Sequence, residues 1–155
     1  MTASALRIPE SLQKEHHEIH STLVEATKAP GRVGAAATEL AKVLHAHFVR
    51  EEEIALPPLG LLAPLASGAR ITDPQRSEAL TMTASLKQEL PRMLEEHKHI
   101  KAAVEKLGAA ARAEKAEKYE RLAEALSLHA RTEEEVTYPA AILVGETLRA
   151  RGAAK

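Results

Sequence analysis

Apolar residues recur at three- and four-residue spacing along most of the chain, and no alternating stretch marks a half-buried strand. Ala, Leu, Glu, Lys and Arg dominate these stretches, so pattern and propensity agree on helix. The first predicted helix starts near Pro9, a favoured first-turn residue, and runs to about Lys28, where Ala29, Pro30 and Gly31 break it. Its inward stripe is Leu12, His16, Ile19 and Leu23. A second helix covers about 33 to 56, carries the stripe Leu40, Leu44, His47 and Glu51, and ends at Pro57 and Pro58. Residues 59–72 read as an irregular apolar connection. Asp73 followed by Pro74 reads as a cap with proline in the first turn of a third helix, about 74 to 112. Pro91 inside it predicts a kink or two helices meeting end to end. A fourth helix, about 115 to 138, is stopped by Pro139, and the segment beyond has the spacing of a short terminal helix.

The pattern is duplicated. Leu40, Ala41, Leu44, His47, Glu51, Glu52, Glu53 and Pro57 recur at one constant spacing as Leu122, Ala123, Leu126, His129, Glu133, Glu134, Glu135 and Pro139. Upstream of each copy lies a second match, Glu15-His16 with Ile19 against Glu96-His97 with Ile100. Each half is thus a helix with Glu-His-x-x-Ile followed by a helix with His-x-x-x-Glu. Two similar helical hairpins predict an all-α, up-down-up-down four-helix bundle with a short C-terminal helix. The length of 155 residues fits one domain, 1–155, with its core in about 10–140.

Composition narrows the chemistry. Cysteine is absent, which excludes disulfides, zinc–thiolate sites and iron–sulfur clusters and fits a reducing cytoplasm. A net charge of −1 gives no footprint for nucleic acid or an acidic membrane surface, and no apolar run reaches the roughly 20 residues of a membrane span. Histidine is abundant, with eight residues, and its placement is regular. Residues four apart share a helix face, so His47 points with Glu51 and His129 with Glu133, along the core stripes. His16 and His97 occupy core positions on the other two helices. Buried carboxylates and imidazoles in an Ala/Leu core need a compensating cation. Imidazole and carboxylate without thiolate suit iron, zinc or manganese. Six or seven ligands exceed the three protein ligands of a catalytic zinc, and two glutamates from opposite helices are placed to bridge a metal pair. Iron is the first expectation, with manganese or a mixed pair second.

These motifs resemble the hemerythrin-like family, also called the HHE cation-binding domain, over about residues 10–140. Ferritin-like proteins carry Glu-x-x-His instead, the opposite order. The resemblance implies His16, His47, His97 and His129 as terminal ligands and Glu51 and Glu133 as bridging carboxylates. It adds His20, one turn beyond His16, as a fifth histidine. His17 is the alternative to His16, and the shared register of Ile19 and Ile100 favours His16. The family pattern gives each hairpin one metal: His16, His20 and His47 on the first, His97 and His129 on the second. The second ion then keeps an open position for dioxygen or a related diatomic or peroxide ligand. Lys101, aligned with His20, is expected either to reach that ligand or to lay its stem along the bundle towards solvent. His45 and His99 are expected in solvent, Glu52, Glu53, Glu134 and Glu135 on outer faces, and Tyr138 as a packing residue.

Three functions compete on this basis. The first is a binding protein that carries, stores or senses oxygen, or buffers iron. The second is a di-iron enzyme acting on hydrogen peroxide or nitric oxide. The third is a redox-sensitive interaction module whose apolar 59–66 segment or C-terminal helix docks a protein partner of unknown identity.

Overall fold

The computed structural model describes residues 3–153, and among them it contains helices and no strand. Helix α1 (Glu10–Thr27) and helix α2 (Gly31–Ile54) form the first hairpin. A 3₁₀ turn (Pro57–Leu61) and the short α3 (Leu62–Ser67) follow. Helix α4 (Asp73–Ala113) and helix α5 (Glu117–Thr132) form the second hairpin, and a π-helical turn (Glu133–Thr137) leads into α6 (Tyr138–Ala153).

The helix ends have local causes. Gly31 begins α2 with φ of +71°, a backbone that only glycine adopts without strain, and the Arg32 N–H donates to Glu114 at 2.6 Å. A carboxylate from the far end of α4 thereby meets an orphan amide at the start of α2. Thr72, rather than Asp73, caps α4. Its hydroxyl accepts from the Gln75 N–H at 3.3 Å while the Gln75 side chain accepts from the Thr72 N–H at 3.0 Å.

Three expectations are corrected. The 59–72 connection is irregular only over 69–72, because the residues before it make the 3₁₀ turn and α3, closed by Gly68 at φ +73°. Pro91 does not divide α4, which is one helix of 41 residues; the proline sits on an exposed face, where its missing N–H strands no buried partner. Nor does Pro139 stop the fourth helix. A proline crowds the carbonyl four residues behind it. Just before Pro139 the helix widens, so that the Tyr138 N–H reaches back five residues to the Glu133 carbonyl. The chain then continues helical to Ala153. The first half uses the same closure, the Leu56 N–H donating to the Glu51 carbonyl at 2.9 Å, but its second proline turns the chain away.

The four long helices meet pairwise. Lys118 of α5 reaches Glu25 of α1 at 2.7 Å, and Glu15 of α1 reaches His129 near the end of α5. Arg32 and Arg50 of α2 contact Glu114 and Glu89 of α4. In each pair rising numbers on one helix meet falling numbers on the other. Helix α6 returns along α4, where Gly145 lies so close to the Thr83 hydroxyl that a Cβ would come within 2.2 Å of it. Three apolar clusters fill the interior, and two of them flank the repeated motifs. One holds Ile19, Leu40, Leu44, Ile100, Val104 and Leu126; the other holds Ile54, Leu56, Leu86, Met93 and Tyr138. The histidines and glutamates of the repeat lie on the helices between them.

Candidate metal centre

Each ligand-type side chain enters from a different turn of the bundle. His16 comes from α1, His47 and Glu51 from α2, His97 from α4, His129 from the last turn of α5 and Glu133 from the π turn. His16, His47, Glu51, His97 and Glu133 are buried, and His129 is 9% exposed at its side chain. The donor atoms form two groups, each with all its atoms within 4.8 Å of one another. One contains His16, His129, Glu51 and Glu133; the other contains His47, His97, Glu51 and Glu133. These groups could hold metal ions.

The two carboxylates belong to both. Glu51 presents Oε1 to the His47 Nε2 and Oε2 to the His16 Nε2 at 3.4 Å. Glu133 presents Oε1 to His129 at 2.7 Å and to His16 at 3.7 Å, and Oε2 to His97 at 3.2 Å. Glu51 Oε2, His129 Nε2 and Glu133 Oε1 are buried and, although the last two lie 2.7 Å apart, none makes a well-directed hydrogen bond; all three residues belong to the first group. Buried polar atoms are ordinarily paired, and three left over in one such group are atoms that a cation could satisfy. Without one, protons serve. Burial disfavours a charged His16, but the Glu133 and Glu51 carboxylates outweigh it and hold its pKa up at about 10. His47 and His129 are raised for the same reasons. Burial pushes the Glu133 carboxyl up, yet His129, His16 and His97 hold it well below the usual carboxylate range.

The outward nitrogens complete the pattern. His97 Nδ1 lies 3.0 Å from Glu134, His47 Nδ1 is 3.2 Å from Glu96, His16 Nδ1 is 3.4 Å from Glu52, and His129 Nδ1 meets Glu15. An Nδ1–H that donates to a carboxylate leaves the Nε2 lone pair facing the centre, the arrangement that orients metal-ligating histidines. His16 is further held by a stacked Phe48, ring centroids 4.1 Å apart.

No protein-family model matches the chain, and neither a curated protein nor a solved structure matches it significantly.

The structure brings together six of the seven residues singled out from sequence, and leaves one out. His20 is exposed beside His45, ring centroids 6.3 Å apart, and belongs to neither group. A stripe of Leu12, His16, Ile19 and Leu23 centres the inward face of α1 roughly 70° away from His20 at 100° per residue, so the bundle turns His20 outward. The pairing is also corrected: each group takes one histidine from each hairpin, not two or three from the same one. Lys101 does not point to the centre. Its Nζ binds Glu134 at 2.8 Å with the side chain 44% exposed. Glu52 and Glu134 are not mere outer-face residues, since they engage His16 and His97. Glu15, Glu96, Glu52 and Glu134 are legible in principle, because all four lie inside the duplicated motifs.

These carboxylates give a graded expectation. Glu96→Ala and Glu15→Ala should each weaken metal binding about 10- to 100-fold, the usual cost of losing such an outer partner. Lys101→Met, one contact further out, should do less. Competition titration against a chelator measures all three, and parent-like affinity in both glutamate variants would remove the orienting role.

Proposed function

We propose that the chain is a hemerythrin-like, up-down-up-down four-helix bundle that holds two iron ions and binds dioxygen or a related small ligand. One observation carries the reading: Glu51 and Glu133 each offer one oxygen to either donor group, as two bridging carboxylates do. The antiparallel residue pairings of the long helices support the topology. The donor set supports iron ahead of zinc, and manganese is the second choice. Bound iron would supply a redox-active Lewis acid with room for a small ligand. The protein's own part is to hold four imidazoles in one tautomer, to keep the Glu133 carboxylate ionised, and to exclude bulk water with apolar clusters on either side.

The group of His16 and His129 is the better placed to receive a ligand. A cleft of about 470 Å³ between α1 and α5, lined by Ile19, Leu122, Ala125, Leu128 and others, opens against His129. A cytoplasmic setting belongs to the proposal; among the described residues no helix is long and apolar enough to cross a membrane.

Elemental analysis of protein made with abundant iron should return close to two iron per chain. One zinc per chain, or no metal, would sink the di-iron reading. The second reading, an enzyme that consumes hydrogen peroxide or nitric oxide, is favoured by one observation, a phenol (Tyr138) among the donor atoms. Reversible absorbance changes on cycling oxygen support binding, whereas steady-state consumption of peroxide or nitric oxide supports the enzyme.

A further inference from the structure

Tyr138 is not a simple packing residue. Its side chain is buried, and its hydroxyl oxygen lies 3.0 Å from Glu51 Oε1, 3.1 Å from His97 Nε2, 3.2 Å from His47 Nε2 and 3.5 Å from Glu133 Oε2. Those four atoms belong to the four residues of the second group. In the neutral form that metal binding needs, with Nδ1–H turned to Glu96 and Glu134, His47 and His97 bring Nε2 lone pairs, 2.9 Å apart, to the phenol beside the two carboxylate oxygens. A hydroxyl has one hydrogen and satisfies one such acceptor. Five electron-rich atoms around one point are better satisfied by a cation than by a single proton.

The π turn sets this up. In a regular α-helix the residue above Glu133 would be Thr137, four on; the widened turn brings Tyr138, five on, over Glu133 instead. The counterpart of Tyr138 in the first half is Leu56, which is equally buried. Packing at that position therefore asks for no oxygen, and the two halves differ where the chemistry of the two groups would differ.

We propose that Tyr138 is a metal ligand, its phenolate oxygen completing a five-donor set with His47, His97, Glu51 and Glu133, while the group of His16 and His129 keeps four protein donors. The inference rests on the dimetal reading above. On binding, the O–H bond breaks, the metal–oxygen bond forms, and the proton leaves to solvent; no electron moves. A phenolate is a hard, anionic donor and favours the ferric state, so the two metal positions would be unlike in charge and in vacancy.

Ferric iron bound by a phenolate absorbs visible light by charge transfer, and its resonance Raman spectrum carries tyrosinate ring modes. The iron-loaded parent should show both. The chain has two tyrosines, so Tyr119→Phe should leave the band intact and Tyr138→Phe should abolish it, with iron content measured on every sample. If Tyr138→Phe fails to fold, the parent and Tyr119→Phe spectra alone decide. A parent with two ferric ions per chain and no tyrosinate signature overturns the ligand role and leaves the dimetal reading standing. A band lost in Tyr119→Phe, or kept in Tyr138→Phe, overturns the assignment to Tyr138. A parent that takes up no iron overturns both.

Discussion

Glu51→Ala should empty both metal positions at once. Glu51 is fully buried, and its two oxygens face different donor groups, so no single-site loss is open to it. Loss of an outer carboxylate costs up to about 100-fold in affinity, and loss of a shared inner one should exceed that for both ions. The expected result is a chain that is purified with essentially no iron, and Glu133→Ala should match it. Glu53→Ala and His99→Ala, both at exposed positions, should keep the parent's content. Elemental analysis of the four variants checks this. A Glu51→Ala chain retaining one ion per chain would show that the two groups do not share the carboxylate.

Chelation should lower the melting temperature, and the drop should widen as pH rises. A ligand present at about a thousandfold over its Kd stabilises the native state by about 4 kcal/mol. For a chain of this size that corresponds to roughly 8–16 °C. The pH dependence follows from the metal-free centre, where protons stand in for the metal. His16 has a folded pKa of about 10 against an ordinary 6.5. Its contribution is therefore complete below about pH 6.5 and is lost as pH climbs towards 10. Glu133, held well below 4.5, contributes above that value and loses its contribution only as pH falls below it. The chelated chain should thus weaken between pH 7 and pH 9. Metal binding, which needs neutral imidazoles, strengthens over the same range. Melting curves with and without chelator at pH 6.5, 7.5 and 9 measure the gap, and a gap that narrows with pH would contradict this account.

Much of this centre is legible in the amino-acid sequence, for a physical reason. His47 with Glu51 and His129 with Glu133 sit one turn apart on stripes otherwise filled by leucine, and repetition in both halves makes an accidental placement hard to sustain. The misses also have causes. His20 follows from a family pattern and not from the stripe, and helix geometry turns it away. Glu15 and Glu96 stand next to ligand histidines in sequence, yet each serves a histidine on another helix, His129 and His47, which only packing reveals. Tyr138 is hidden because ideal α periodicity places it off the face of Glu133, and the π turn before Pro139 has no simple signature in hydrophobic pattern. Pro57 and Pro139, which look like helix stops, mark that widened closure in both halves.

The crossed arrangement of the halves has an evolutionary corollary. Each donor group draws one histidine from each hairpin, and the carboxylates behind His47 and His129 also come from the opposite hairpin. A lone hairpin of this kind could not assemble either group; it could do so only against a second copy of itself. An ancestor of half this length would then have been an obligate symmetric pair with identical metal positions. Joining two such copies in one chain would release each from mirroring the other, and a leucine in one half against a tyrosine in the other, at Leu56 and Tyr138, is a difference that a symmetric pair could not hold.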